Sequence, residues 1–392
     1  MYICLVILVG SVLADPQIVW LNRYSSDSTN NIVTVETGGR LYLASNDSSE
    51  TLKRIRILSG TSGVTLDQLP VGGIDLLSDQ LVIQSALDLT TSATITGFLY
   101  ATMSIQARDN TFEVIVVNGP REYHWSQANK TLVILNVQFT TSHIRPADAP
   151  DKTTLVTNVT QHQNTDLNFH YGYPDVNYTI FTENQFFENP QYVEYLQKDG
   201  NVTRERIIFE SVEPIQVNLP YWYITANGPF SLQLDSFYMN FHTHNTTNVN
   251  TTGAYVLTDV WQDHFVNFVT DPTRKGWTGT LVTLDLQQPI NITFANDMTV
   301  FYQAYSGSQG LKHAQVMSDM VSKTLSITAA GTRPGTLYCQ YFVYTGELLP
   351  PTPSPTTNTV VQTTPTIATT TKSSESFNVL ITIILFLCIL MV

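Results

Sequence analysis

His242 and His244 are the residues of this 392-residue chain whose types and spacing come nearest to metal chemistry. Side chains on a strand repeat every second residue, so both imidazoles would share one face. A third ligand such as His170 or Asp166 would complete a tetrahedral zinc site. The plainer reading, preferred here, is an exposed strand end that runs into a polar loop at Asn245. His162 and His170 lie in an Asn-rich segment and read as solvated. Glu183, Glu188 and Glu194 share a stretch with Phe181, Phe186, Phe187, Tyr192 and Tyr195, the residue types of a glycosidase acid pair. Packing of loop and helix explains the same stretch more simply. Gly60 to Gly63 and Gly307 to Gly310 are each one residue short of a nucleophile elbow. No phosphate-binding glycine loop and no His-Glu-x-x-His occurs. The chain therefore reads as non-enzymatic, with no cofactor and no metal site. The alternatives are a surface hydrolase with an unrecognised active site, or a structural coat without a specific ligand.

Binding without chemistry has better candidates. Tyr171, Tyr173, Tyr178, Tyr221, Trp222 and Tyr223 are rings on which a sugar would stack. The competing reading puts most of them in a core. Charge narrows the partners further. With 19 Lys+Arg against 32 Asp+Glu, the net charge is -13, and no basic surface exists to displace counterions from nucleic acid. Hydrophobic residues make up 43 %, enough for real cores.

The two ends place the chain in the secretory pathway. Tyr2 to Leu13 is an apolar run followed by Ala14 and Asp15-Pro16, so residues 1–14 read as a signal peptide. Val379 to Val392 is apolar except for Thr382, and a spanning helix needs about 20 residues. A short apolar terminus behind small residues is the signal for a GPI anchor, with Ser374, Ala368 and Ser373 as attachment candidates. The alternative for 377–392 is a short membrane helix. Eight Asn-x-Ser/Thr sequons, at Asn46, Asn129, Asn158, Asn177, Asn201, Asn245, Asn250 and Asn291, predict an N-glycosylated ectodomain. Cys4 and Cys388 sit in the two terminal segments. Cys339 then remains as a buried small hydrophobe or as the site of an intermolecular disulfide.

The elements that would position these residues are strands. Phe230 to Asp235 and Ile290 to Phe294 alternate apolar with polar, as half-buried strands do. Phe112–Val117, Thr131–Phe139 and Thr280–Leu286 are short runs rich in Val, Ile and Thr. Only Gln191 to Lys198 and Gln315 to Lys323 carry a helical pattern. Residues 350–376 hold ten Thr, five Pro and four Ser, which reads as an extended, disordered, O-glycosylated stalk. The expected fold class is all-β, with two or three antiparallel β-sandwich modules of CUB-like or jelly-roll type before that stalk. Polar breaks at 145–152 and 244–253 give modules at 15–148, 149–252 and 253–346, then a stalk at 347–376. Another cut merges the last two modules into one.

Tyr221 to Phe237, Gly335 to Tyr344, the signal peptide and the Thr/Pro stalk with its apolar tail together resemble the nematode CUB-like family of secreted or surface glycoproteins. That resemblance implies a non-enzymatic β-sandwich ectodomain, in a family linked to intestinal defence against bacteria. Ordinary CUB domains carry disulfides and often calcium. Here the first module has no cysteine, and no calcium motif carries over. The expectation is a cell-surface recognition protein on the extracellular face of the plasma membrane. Its partners would be an extracellular protein or glycan, with the membrane reached through a GPI anchor or a short C-terminal helix.

Overall fold

The computed structural model describes residues 16–348, apart from 30, 138–151, 175–183, 197–201, 240, 261, 272, 287–288, 306–311, 319–320 and 329–332. The expected signal peptide, the stalk from residue 349 onward, the anchor candidates Ser374, Ala368 and Ser373, the sequons Asn177 and Asn201, and Tyr178 lie outside the described residues.

The all-β expectation holds. Five sheets follow one another through the fold, and a two-stranded hairpin of Gln191–Leu196 and Val202–Ile207 stands beside them. Sheet I orders Ile32–Thr34, Gln80–Ser85, Ile55–Ser59 and Ser62–Thr65; sheet II orders Gln17–Trp20, Phe98–Ala101, Arg40–Ala44 and Ile74–Asp75. Sheet III orders Gln185–Asn189, Leu167–Tyr171, Tyr221–Ala226, Lys130–Asn136 and Phe112–Val117. Sheet IV has nine strands, running from Arg121–Trp125 through Phe230–Asp235, Thr154–Gln161, Ile215–Val217, Thr251–Val260, Arg333–Leu348 and Arg274–Leu286 to Lys312–Ser318; Ser211–Val212 pairs with Thr251–Val260 off that path. Sheet V orders Thr243–Asn245, His264–Asn267, Thr324–Thr328, Ile290–Ala295 and Val300–Tyr305.

A core lies between each sheet and the next. Ile57 and Ile83 of sheet I meet Leu41 and Leu99 of sheet II. The other face of sheet II sends Tyr42, Phe98 and Tyr100 against Val133, Leu135 and Tyr223 of sheet III. Sheet III then turns Leu132, Phe169 and Trp222 toward Val156, Leu232 and Val256 of sheet IV. Sheet IV finally packs Tyr255, Leu284, Cys339 and Tyr341 on Val266, Ile292 and Leu325 of sheet V. Period-two geometry makes this stacking work, because alternate side chains of one strand enter opposite cores. Lys130–Asn136 is buried at every position for this reason. Phe230–Asp235 and Ile290–Ala295 bury only alternate residues.

Three expectations are corrected. Gln191 to Lys198 is not a helix: Gln191–Leu196 is a strand paired antiparallel with Val202–Ile207. Gln315 to Lys323 likewise falls on the strand Lys312–Ser318, paired with Arg274–Leu286. The module limits at 148 and 252 do not separate sheets. Sheet III joins Lys130–Asn136 to Tyr221–Ala226 across the first limit. Sheet IV joins Ile215–Val217 to Thr251–Val260 and on to Arg333–Leu348 across the second. Polar, proline-rich stretches mark where the chain leaves a sheet, which is not where a core ends. The described residues form one compact unit by their contacts.

Candidate functional site

A cluster of histidine and tyrosine side chains gathers between sheets IV and V. The short strand Thr243–Asn245 pairs in parallel with His264–Asn267, and the Phe265 N–H donates to the His242 carbonyl at 2.7 Å. The pairing brings His264 to the two histidines singled out by spacing. The His242 and His264 ring centroids stand 6.2 Å apart, and His264 lies 4.8 Å from the Tyr255 ring. His244 stands 6.0 Å from Tyr255 and 5.7 Å from Tyr341.

Hydrogen bonds fix His244 on both sides. Its Nε2 is 2.6 Å from the Tyr341 hydroxyl and its Nδ1 is 3.3 Å from the Tyr255 hydroxyl. Tyr255 Oη in turn donates to the Phe241 carbonyl at 3.2 Å. A neutral imidazole has one donor nitrogen and one acceptor nitrogen. The Tyr255 hydroxyl also lies 3.4 Å from the Phe265 carbonyl, and one arrangement that satisfies every group has Tyr341 O–H donating to Nε2, Nδ1–H donating to Tyr255 Oη, and Tyr255 O–H donating to the Phe241 carbonyl. Strand geometry makes room for it. Gly253 lies opposite Tyr341, and a Cβ there would collide with the Tyr341 hydroxyl.

Burial controls the electrostatics. His264 is 6 % exposed, and its Nδ1 has no hydrogen-bond partner. Burial pushes the His264 imidazole down to about 4, helped by the neighbouring His242 and His244 and opposed by Asp263. Burial also holds His244 below the ordinary histidine value, against the pull of Glu213. Both Tyr255 and Tyr341 are pushed upward by burial, so each hydroxyl keeps its proton.

Beside the cluster lies a small cleft of about 30 Å³, lined among others by Gln216, Tyr238, Met239, Phe241, Tyr255 and His264. The Gln216 amide holds the rim: Nε2 donates to the Phe237 carbonyl at 3.2 Å, and Oε1 accepts from the Met239 N–H at 2.8 Å. Phe237 and Met239 on that rim are 56 % and 41 % exposed.

The zinc arrangement does not form. His170 lies in another core, stacked on Tyr223 at 4.6 Å, and Asp166 pairs with Arg206 at 2.9 Å. Among the described residues no three His, Cys, Asp or Glu side chains converge as metal ligands. The plainer reading of His242 and His244 as an exposed strand end is corrected too, since both are half-buried. The stacking aromatics are largely interior. Trp222 is fully buried against Phe169 and Phe186, and Tyr223 is 3 % exposed. Neither offers a face to a ligand, because alternate residues of the strand Tyr221–Ala226 feed the cores on its two sides. Tyr171 packs on Tyr338 at 5.0 Å, and Tyr173 on Tyr221 at 5.9 Å; all three expected sites are half-buried. Cys339 is fully buried, and burial pushes its thiol up to about 12, which leaves it inert as a disulfide partner. Glu183 lies outside the described residues, as does the Glu194 side chain; Glu188 is raised by burial and accepts from Gln185 Nε2 at 2.7 Å.

The described sequons sit at the surface or its edge. Asn129, Asn158 and Asn245 are exposed, and Asn46, Asn250 and Asn291 are half-buried. Asn129 and Asn158 adopt φ of 54° and 51°, a left-handed conformation that asparagine tolerates better than most residues. Asn158 marks an irregularity in the pairing with Phe230–Asp235. No helix among the described residues is long and apolar enough to cross a membrane.

Sequence reasoning did not single out His264, Tyr255 or Tyr341. Only the sheet pairing brings them to His242 and His244. The weak available signal was the alternation of His264 and Val266 with Phe265 and Asn267.

A glycoprotein family described as transmembrane glycoprotein matches residues 36–388. No curated protein sequence matches the chain. Two solved structures from Listeria monocytogenes are similar at 8 % identity: a protein crystallised with α-D-glucose, β-D-glucose, magnesium and calcium, and a cycloalternan-forming enzyme with a pentasaccharide substrate. Each alignment covers 81 % of this chain and 29 % of the other, with TM-scores of 0.18 and 0.19. Nothing about this chain follows from likenesses at that level.

Proposed function

We propose that this chain, which belongs to the transmembrane glycoprotein family, is a membrane-displayed, N-glycosylated ectodomain that recognises an extracellular protein or glycan without covalent chemistry. The observation that carries the reading is the placement of Asn129, Asn158 and Asn245 at exposed positions on a family-matched, all-β chain. Glycans at such positions extend into solvent without disturbing a core. The finer version is a CUB-like ectodomain on a Thr/Pro stalk, held by a GPI anchor and facing microbes at an epithelial surface. The rim residues Phe237 and Met239 beside the His–Tyr cleft are its best-placed contact surface, since exposed large apolar groups next to a cleft favour partner binding.

The test uses intact cells expressing the full chain. Surface biotinylation labels the protein, and phosphatidylinositol-specific phospholipase C releases it. Retention alongside a released control GPI protein replaces the anchor with a membrane helix. Stoichiometric labelling by serine-hydrolase or glycosidase activity probes, lost on heat denaturation, overturns the non-enzymatic reading.

A further inference from the structure

We propose that His244 and His264 form an acid-sensitive latch, whose protonation loosens sheet V and the rim at Phe237 and Met239 from sheet IV and opens the cleft between them. The inference is independent of what the ectodomain recognises. Its ground is geometry: three imidazoles from two adjoining segments share one core with two tyrosine hydroxyls.

His244 and His264 are both badly placed to accept a proton. Protonated His244 has two N–H donors and no acceptor. Its Nε2–H would then face the Tyr341 O–H, which must swing away, and Gly253 packs directly over that hydroxyl. His264 Nδ1 is buried and has no acceptor to receive a new N–H. A charge on either ring would repel a charge on the other or on His242. The groups facing the rings are Tyr255, Tyr341 and Cys339 from sheet IV, Tyr238 across the cleft, Asp263 beside His264, and Glu213 near His244. Glu213 is committed elsewhere: it accepts from Thr247 N–H at 2.7 Å and from Thr251 Oγ1 at 3.0 Å. Asp263 is the acid beside His264, and Glu213, the acid whose charge acts on His244, already accepts the Thr247 and Thr251 hydrogen bonds.

The shortest strand of sheet V is Thr243–Asn245. It has three residues, lies at the edge of sheet V and pairs on one side only. The direction with pH follows from linkage. Above pH ~6.5, the ordinary histidine value, neither open nor closed form takes the protons. As pH falls from there toward about 4, where His264 titrates when closed, the open form binds protons that the closed form refuses. The ratio of open to closed then rises by up to about tenfold per histidine per pH unit.

Cys339 reports the opening, because it is buried in the core between sheets IV and V. The full chain is labelled with a thiol reagent between pH 7.5 and 5.0. Peptide mass spectrometry reads Cys339 labelling relative to a cysteine peptide at the same pH. The expected result is protection at pH 7.5 and at least tenfold faster relative labelling at pH 5.0. His264→Phe flattens that rise, whereas His170→Phe, in another core, leaves it intact. A ratio that stays flat in the native protein overturns the latch, as does an equal rise in His264→Phe. Should His264→Phe fail to fold, the imidazole proton resonances of the native protein decide. The latch requires His244 and His264 to titrate well below 6.5, and titration of both near 6.5 overturns it.

Discussion

The strand Thr251–Val260 serves two cores at once, and the two differ in chemistry. Ala254 and Val256 enter the core between sheets III and IV, among Trp222, Phe169, Phe186 and Phe187. Tyr255 points the other way, into the core between sheets IV and V, where it meets His244, His264 and Tyr341. One strand thus builds an apolar interface on one face and a hydrogen-bonded, titratable interface on the other. The first holds by shape and area, so its strength is indifferent to pH near neutrality. The second depends on His244 and His264 staying neutral. His170 sharpens the contrast. It too is pushed down to about 4 by burial, yet no second histidine acts on it: it stacks on Tyr223, with Nε2 on Thr225 Oγ1 at 2.9 Å and Asn184 as a further partner. Burial of one imidazole costs the fold one proton-binding site in acid. His244 and His264 in one core add mutual repulsion.

The largest separation of the two cores comes from Trp222→Ala. It removes the biggest fully buried side chain of the apolar core and should cost about 3–5 kcal/mol of stability. Denaturant unfolding at pH 7.5 and at pH 5.5 should give the same loss. A loss that changed with pH would break the distinction. Tyr341→Phe acts on the other core and should cost about 1–3 kcal/mol at pH 7.5, since His244 Nε2 loses its donor. That donor favours the neutral ring, so its removal raises the His244 value toward the ordinary one. The stability lost between pH ~6.5 and ~4 then shrinks in this variant. A steeper loss would contradict the assigned hydrogen-bond direction.

Two sequon variants give smaller effects. Asn250 Oδ1 accepts from Thr345 N–H and Thr345 Oγ1, both at 2.6 Å, so Asn250→Gln should cost about 0.5–1.5 kcal/mol in unglycosylated protein. Asn245 follows His244 in sequence but is exposed, and Asn245→Gln should change stability by less than about 0.5 kcal/mol with no change in pH dependence. Thermal melts of both variants beside the parent check the order.

Legibility from sequence followed the same divide. Strict alternation in Phe230–Asp235 announced a strand with one buried face, and the continuous run Leu132 to Leu135 announced one buried on both. What the pattern could not supply was which strands neighbour one another, so modules cut at polar breaks crossed sheets III and IV. Gln191–Leu196 mixes helix formers with the strand formers Tyr192, Val193 and Tyr195, and pairing with Val202–Ile207 settles it as a strand. The same blindness hid the site. Spacing found His242 and His244, but His264 joins them through strand pairing alone. Trp222 and Tyr223 are attractive stacking rings in sequence, and only the sheet on each side of their strand shows that they are interior.

Site-resolved glycopeptide mapping of the full chain, captured by biotin from the surface of intact cells, tests the ectodomain reading most directly. The account predicts captured protein that carries N-glycans at Asn129, Asn158 and Asn245. Protein that escapes surface capture and is unmodified at all three would contradict it.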